Sequence, residues 1–338
     1  MTKTINTEEW SKYLRSKSVD LSNKRLLVSN LLGSEQEVDL SEAPNCGGLG
    51  RIRHFKIETS TGWPSNPLPI APACKALNLP MQDVMRAQVF QNGACNWRCW
   101  YCFVPFNLLS ADVERSRWVS ASDLVNLYLN ENDRPSVIDL SGGQPDLIPE
   151  WTPWMMEELI ARGLQDSVYL WSDDNLSNDY FWRYLSGEQL ELVRGYKNYG
   201  RVCCFKGFDR ESFSFNTLAD PDLFDFQFEL IRKFIELGID TYAYVTLTSP
   251  ADTDRISLKV RNFVDKLQQV HTNLPLRTIP LEIAIFSPVK SRITTSNNDA
   301  ISRALTNQEV AIQEWNNELR RRYSDNELAR PITQVILG

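Results

Sequence analysis

From about residue 85 onward, strand-like and helix-like segments alternate six times along the chain. The strand candidates are MRAQVFQ (85–91), SVIDLS (136–141), SVYLWS (167–172), RVCCFK (201–206), DTYAYVTLT (240–248) and TIPLEIAIF (278–286). Helix signals fill the gaps between them. Ser120 and Asp123 stand at capping-box spacing, and Gly163 is a natural stop for EWTPWMMEELIARG. Asp220, Pro221 and Gly238 read as the cap, first helical position and stop of another helix. Phe224, Phe228, Ile231 and Ile235 recur at helical spacing, as do Ile256, Val260, Phe263, Leu267 and Val270. Alternation of this kind predicts an α/β protein with a parallel sheet and its helices outside it. Six units fit a partial (β/α)6 barrel better than a closed eight-fold one, and a flat doubly wound sheet is the alternative.

The first 84 residues break this pattern. Five prolines fall between Pro64 and Pro80, which predicts an extended wrapping segment after one N-terminal helix. Residues 1–84 are thus expected to extend a core of residues 85–290, with a C-terminal helix and tail over 291–338 packed on it. No run approaches the roughly 20 apolar residues of a membrane span, and no export signal is evident, so a cytoplasmic protein is expected. The formal charge of −7 argues against non-specific binding to nucleic-acid backbones. Arg320, Arg321 and Arg322 fall near a predicted helix end, where cations complement the dipole.

Seven cysteines without an export signal do not suggest a disulfide framework. Cys95, Cys99 and Cys102 crowd into QNGACNWRCWYCFVPF, directly after the first strand of the alternating region. That is the C-terminal strand edge, where chemistry happens in sheets of this class. Three thiolates on one loop can hold three corners of a cubane iron–sulfur cluster and leave one iron open. A zinc ion would need a fourth ligand from His54, His271 or one of the four other cysteines, none of them close in sequence. Packing of the thiols in the core is the third reading. Structural roles are expected for Cys46, Cys74 and His54, and a surface position for His271.

The spacing C-x-x-x-C-x-x-C, with Tyr101 just before the last cysteine, resembles the signature of the radical S-adenosylmethionine (radical SAM) superfamily. DLSGGQPDL, at the end of the second strand, is similar to that family's Gly-Gly-Glu-Pro motif; the match spans roughly residues 85–290. The resemblance implies a [4Fe-4S] cluster on Cys95, Cys99 and Cys102. It implies S-adenosylmethionine (SAM) bound by Tyr101, Gly142, Gly143, Gln144 and Pro145. Reductive cleavage of SAM would give methionine and a 5′-deoxyadenosyl radical that takes a hydrogen atom from the substrate. Gln144 stands where the family has glutamate, and its amide oxygen can still accept a bond from the cofactor's amino group. Ser172, Asp173 and Asp174 occupy the place where polar groups contact the ribose hydroxyls. CCFKGFDRESF resembles a fourth-strand pattern of the glycyl-radical-enzyme activases, with Lys206 at its lysine and Cys204 in place of its aspartate. Implied partners are an electron donor such as a flavodoxin or ferredoxin, and a substrate that is either a protein or a small polar molecule. The rival reading is a non-catalytic metal-binding or redox-sensing protein that holds zinc or a sensing cluster on the same thiols.

Side chains alternate across a strand. If the apolar members face the helices, the interior receives Gln88, Asp139, Ser141, Tyr169, Trp171, Asp173, Cys204, Lys206, Tyr242, Tyr244, Thr246, Thr248 and Glu282. Such a set predicts a polar binding cavity and not the Val, Ile and Leu filling of an ordinary barrel. Lys206, Cys204 and Glu282 are its candidate catalytic groups. Glu282 is the best interior acid and is placed to pair with Lys206.

Overall fold

A computed structural model describes residues 4–60 and 64–338. Its strands are β1 (Val19–Asp20), β2 (Arg25–Ser29), β3 (Gly50–Lys56), β4 (Val84–Gln91), β5 (Ser116–Ser120), β6 (Val137–Ser141), β7 (Tyr169–Asp174), β8 (Tyr199–Phe205), β9 (Thr241–Val245) and β10 (Thr278–Pro280). A small antiparallel sheet has the order β1-β2-β5, and the main sheet the order β10-β9-β8-β7-β6-β4-β3. From β4 to β10 every neighbouring pair is parallel, and β3 closes the other edge antiparallel to β4.

This order excludes the doubly wound alternative. A doubly wound sheet reverses its strand order at a switch point and carries helices on both faces. Here the six parallel strands follow one another in chain order, so right-handed crossovers place their helices on the same side. The result is a half-barrel: an outer face under helices and an inner face turned toward the remaining chain. On the outer face Ile138, Leu140, Leu170, Cys203, Phe205, Ala243 and Val245 belong to one core with Leu124, Phe228, Ile231, Val260 and Phe263 from the helices.

Local signals place the helices. Ser120 and Asp123 form the expected capping box of helix Ala121–Asn130. Helix Trp151–Ala161 ends just before Gly163, whose φ is 65°. Helix Leu223–Glu236 starts two residues after Pro221 and stops before Gly238, at φ 81°. The long helix Asn298–Arg322 packs on Ile256–Val270. There Arg322 donates to Asp265 and Glu318, so part of the basic run is held in ion pairs. Among the described residues no helix is long and apolar enough to cross a membrane.

The inner face has its own cluster. Met85, Ala87, Val137, Tyr169, Trp171, Val202, Cys204, Tyr242 and Tyr244 pack there against Phe55, Leu68, Ile70, Ala73 and Cys74. The N-terminal part is therefore more than an extended wrap. It supplies β1, β2 and β3, and the segment around Leu68 to Cys74 plugs the concave side of the half-barrel. The Leu68 backbone N–H donates to the Tyr244 hydroxyl at 2.9 Å. Room for the large rings comes from Gly200 on β8, where a Cβ would lie 2.3 Å from the Tyr169 hydroxyl and 3.0 Å from the Trp171 ring.

Two expectations about facing are corrected. Gln88 points outward, in register with Ile138, and its amide pairs with the Asn45 side chain at 2.8 and 2.9 Å. Met85 and Ala87 turn inward instead, because the N-terminal plug makes that part of the interior apolar. The strand expected over 278–286 ends at Pro280, so Glu282 lies beyond the sheet and is exposed.

Candidate active site

The cysteine stretch leaves β4 at its C-terminal end and is tied down by backbone bonds. The Cys95 N–H donates to Leu109 O, and Trp100 and Arg98 donate to Asn216 O and Thr217 O. Arg98 and Arg292 donate from their guanidiniums to carbonyls of the stretch: Arg98 to Cys95 and Trp97, Arg292 to Cys102 and Val104. The eleven residues 95–105 are thereby fixed without regular secondary structure. Cys95 and Cys99 are buried and Cys102 is half-buried. Burial pushes the Cys95 thiol up and the Cys99 thiol to about 12. Among the described residues no group of three or more His, Cys, Asp or Glu side chains is drawn together tightly enough to hold a metal ion.

The tryptophans beside the thiols pack. Trp97 donates through Nε1 to Thr7 Oγ1 and meets Phe213 edge-on at 5.1 Å. Trp100 donates to Asn216 Oδ1 and stands perpendicular to Tyr101. Tyr101 is buried, with its hydroxyl 3.1 Å from Thr246 Oγ1 beyond the end of β9.

The Gly142–Gln144 turn leaves β6 next door. Gly142 and Gly143 have φ of 69° and 62°, and both also lack room for a side chain. A Cβ on Gly142 would lie 2.2 Å from Gln91 Cγ, and one on Gly143 would lie 2.3 Å from Ala94 O. The glycines thus allow the turn to lie directly on the segment that leads into the cysteines. The Gln144 N–H donates to Ala94 O at 2.8 Å, and Asn92 Nδ2 donates to Gln144 O at 2.7 Å.

Gln144 itself is fully buried and engaged at both ends. Its Nε2 donates to Asp174 Oδ1 at 2.7 Å, and its Oε1 accepts from the Asn175 N–H at 2.9 Å. The amide therefore joins the turn to the end of β7. Glutamate here would set two carboxylates against each other in a buried site, where both cannot ionise. Gln144→Glu is expected to hold a proton in the folded state, raising its pKa above the roughly 4.3 of an unfolded glutamate. A raised acid stabilises the fold below its unfolded pKa and loses that contribution as pH rises through the folded value. The melting temperature of this variant should match the wild type near pH 5 and fall roughly 5 °C below it at pH 8. Adding Asp174→Asn should remove the extra pH slope. Parallel pH profiles for Gln144→Glu and wild type would contradict the argument.

These elements open into one cavity of about 660 Å³ at the C-terminal ends of the parallel strands. Of the residues singled out by sequence, Tyr101, Cys102, Gly142, Gly143, Gln144, Asp173, Asp174, Cys204, Lys206 and Glu282 line it. Cys95, Cys99 and Pro145 lie behind that surface. Ser172 is turned away: its hydroxyl is 2.8 Å from the Tyr199 hydroxyl on the outer face. The strand runs on to Asp174, which makes Ser172 an interior strand residue of outward parity. Cys204 faces the cavity and Cys203 the helices.

Lys206 forms no ion pair with a carboxylate among the described residues, and the expected pair with Glu282 is not made. Burial works against its charge, but Cys204, Tyr101, Cys99 and Cys102 around it raise its pKa. Deeper in the half-barrel Asp139 accepts from Arg53 at 3.0 Å, and Asp173 accepts from Ser141 at 2.6 Å and from Arg53 at 3.5 Å. Burial, with Asp173 close by, pushes the Asp139 carboxyl up.

Several residues at this site escaped the sequence reading. Asn175 directly follows Asp174 and donates through Nδ2 to Asn96 Oδ1 at 3.1 Å, with Nδ2 also 3.9 Å from Cys95 Sγ. Asn216 ties Trp100 to Lys206 O and Thr248. Arg51 and Arg53 enter from β3, an edge strand that the alternating pattern does not include. Asn175 carried a usable signal, its position at the end of an inward strand; the arginines had none.

No protein-family model matches the chain, and no curated protein matches it. Among solved structures, the chain is similar to Streptococcus suis SuiB. SuiB bound to its precursor peptide SuiA gives a TM-score of 0.36 at 16% identity, over 53% of this chain and 36% of that one. SuiB bound to S-adenosylmethionine gives 0.36 at 16%, over 53% and 37%. SuiB alone gives 0.35 at 16%, over 53% and 36%. This chain thus spans little more than a third of the length of the SuiB chain it matches.

Proposed function

We propose that the chain is a radical SAM enzyme. The observation that carries this reading is the meeting, in one cavity at the C-terminal strand edge, of Tyr101 and Cys102 from the three-cysteine loop, a glycine turn without room for side chains, and a lysine with no carboxylate partner among the described residues. The donor set fits the group it would hold: three soft thiols on one loop suit iron and sulfide, and a neighbouring ammonium offsets the negative charge of thiolates. Cys95, Cys99 and Cys102 are the ligands in this reading. When bound, the cluster and SAM supply one-electron cleavage of the sulfonium and a carbon radical able to take a hydrogen atom.

The chain's own residues orient and enclose. Lys206 presents its ammonium to a carboxylate or thiolate entering beside it, and a charge-assisted bond is favoured because no acid among the described residues pairs with it. Tyr101, held by Thr246, offers a flat apolar wall. Gln144 fixes the Asp174 carboxylate, whose Oδ2 is buried without a partner and can accept from a ligand donor. Tyr101, Phe103 and Phe286 line the cavity and limit water around the reacting centre. An electron-transfer protein such as a flavodoxin or ferredoxin would supply the electron.

The test is anaerobic reconstitution with iron and sulfide, reduction with dithionite and addition of SAM. Production of 5′-deoxyadenosine and methionine in equal amounts is the expected result. Iron uptake without SAM binding would favour the metal-binding or redox-sensing reading. Failure to bind iron would end both iron readings.

A further inference from the structure

Four arginines of this chain are less than a tenth exposed: Arg15, Arg51, Arg201 and Arg277. Arg15 pairs with Glu150, Arg201 with Asp146 and Arg277 with Asp240. Arg51 pairs with none. Among the described residues its guanidinium makes no hydrogen bond, and its buried Nε lacks any partner. It projects from the inward face of β3, opposite Val89, and lines the cavity. Its guanidinium carbon lies 5.5 Å from the centre of the Phe103 ring.

The nearest acids bond through one oxygen each: Asp139 Oδ1 and Asp173 Oδ1 are buried without a partner, and neither receives a bond from Arg51. Asp139 and Asp173 both accept from Arg53, which stands two residues along the same strand. Burial and the Arg53 charge together push the Arg51 pKa down to about 10. A buried guanidinium that is neither paired nor hydrogen-bonded destabilises a fold, and selection retains one where a ligand supplies the missing acceptors. The planar fork matches a carboxylate in a two-pronged contact. A dianionic phosphate fits less well, since its second charge would face Asp139 and Asp173. The volume of about 660 Å³ suits a small molecule.

We propose that Arg51 anchors the carboxylate of a small-molecule substrate in this cavity. Arg51 and Lys206 line the same cavity from different elements: Arg51 enters from β3, and Lys206 follows the end of β8. The inference goes beyond the proposed reaction and stands without it, because it depends only on the unpartnered guanidinium.

The experiment measures melting temperatures of the full chain and of Arg51→Gln at matched ionic strength. The probes are propionate, its uncharged analogue propionamide, and inorganic phosphate. Without a probe, Arg51→Gln should melt at or above the wild-type temperature; a clear fall would show that Arg51 is a satisfied structural residue and overturn the proposal. Propionate at tens of millimolar should raise the wild-type value by about 2 °C and leave the variant unmoved. Equal shifts from propionate and propionamide, no shift in the wild type, or a larger shift from phosphate would each overturn it. Repeating the titration with SAM present separates the two readings. A retained propionate shift supports a substrate site, and its loss assigns Arg51 to the carboxylate of SAM.

Discussion

Alanine at Cys99 is expected to abolish iron retention and 5′-deoxyadenosine formation together, by more than about 100-fold, while leaving the metal-free fold intact. In the proposed cluster site Cys99 would be the middle ligand of the three, so its loss leaves Cys95 and Cys102 separated by six residues with no thiol between them. In the metal-free protein its thiol, pushed up to about 12 by burial, is neutral and acts as a small apolar side chain. Removing it then costs only a small cavity, about 1 kcal/mol. Two further variants make the result specific. Cys203→Ala removes a thiol that faces the helices and should retain iron. Cys204→Ala removes one that faces the cavity from β8 and is not part of the Cys95–Cys102 loop, and should also retain it. Iron content and the visible absorption of reconstituted protein are the measurements. If Cys99→Ala keeps its iron, the cysteine loop is not the cluster site.

The largest stability loss is expected at Asp146. This residue follows the Gly142–Pro145 turn, and its two carboxylate oxygens each accept from Arg201 Nη2 at 2.8 Å. Arg201 rises from β8 with no exposed surface, and its guanidinium carbon lies 5.1 and 4.0 Å from the centres of the Phe181 and Phe234 rings. Asp146→Ala would leave that charge in an aromatic pocket with no hydrogen-bonding acid, since Nε and Nη1 already lack partners. Breaking a buried pair from one side costs about 3–5 kcal/mol, which in a chain of this length lowers the melting temperature by roughly 5 °C. Removing both ends as Asp146→Ala with Arg201→Met should recover much of the loss, because the cost lies in the orphaned charge and not in the missing contact. Urea unfolding of the two single variants and the double variant measures the coupling. Additive losses would show that the pair is not the unit of stabilisation.

The parallel order of strands β4 to β10 was legible in the chain because each strand and helix carries its own period. Neighbouring units joined by a helix have few ways to pair. The inward parity of Tyr169, Trp171, Cys204, Tyr242 and Tyr244 was legible for the same reason: alternation is a local property. So was the position of the cysteine loop, directly after a strand end.

What escaped was non-local. Gln88 was assigned inward on the rule that apolar groups face helices, but Leu68, Ile70 and Ala73 arrive from outside the alternating pattern and make Met85 and Ala87 the inward set. Ser172 and Glu282 were misplaced by strand ends, which hydrogen bonds to neighbours decide. The role of Gln144 could not be read without Asp174, thirty positions away. Arg51 carries no signal in the sequence; the pairing of β3 with β4 turns it into the cavity. The local periods, the element types and the crowding of thiols at a strand end are each written in a single stretch of chain. Which charges lose their partners is settled by the folded whole, because burial and pairing belong to the sum of distant segments and no single stretch contains them.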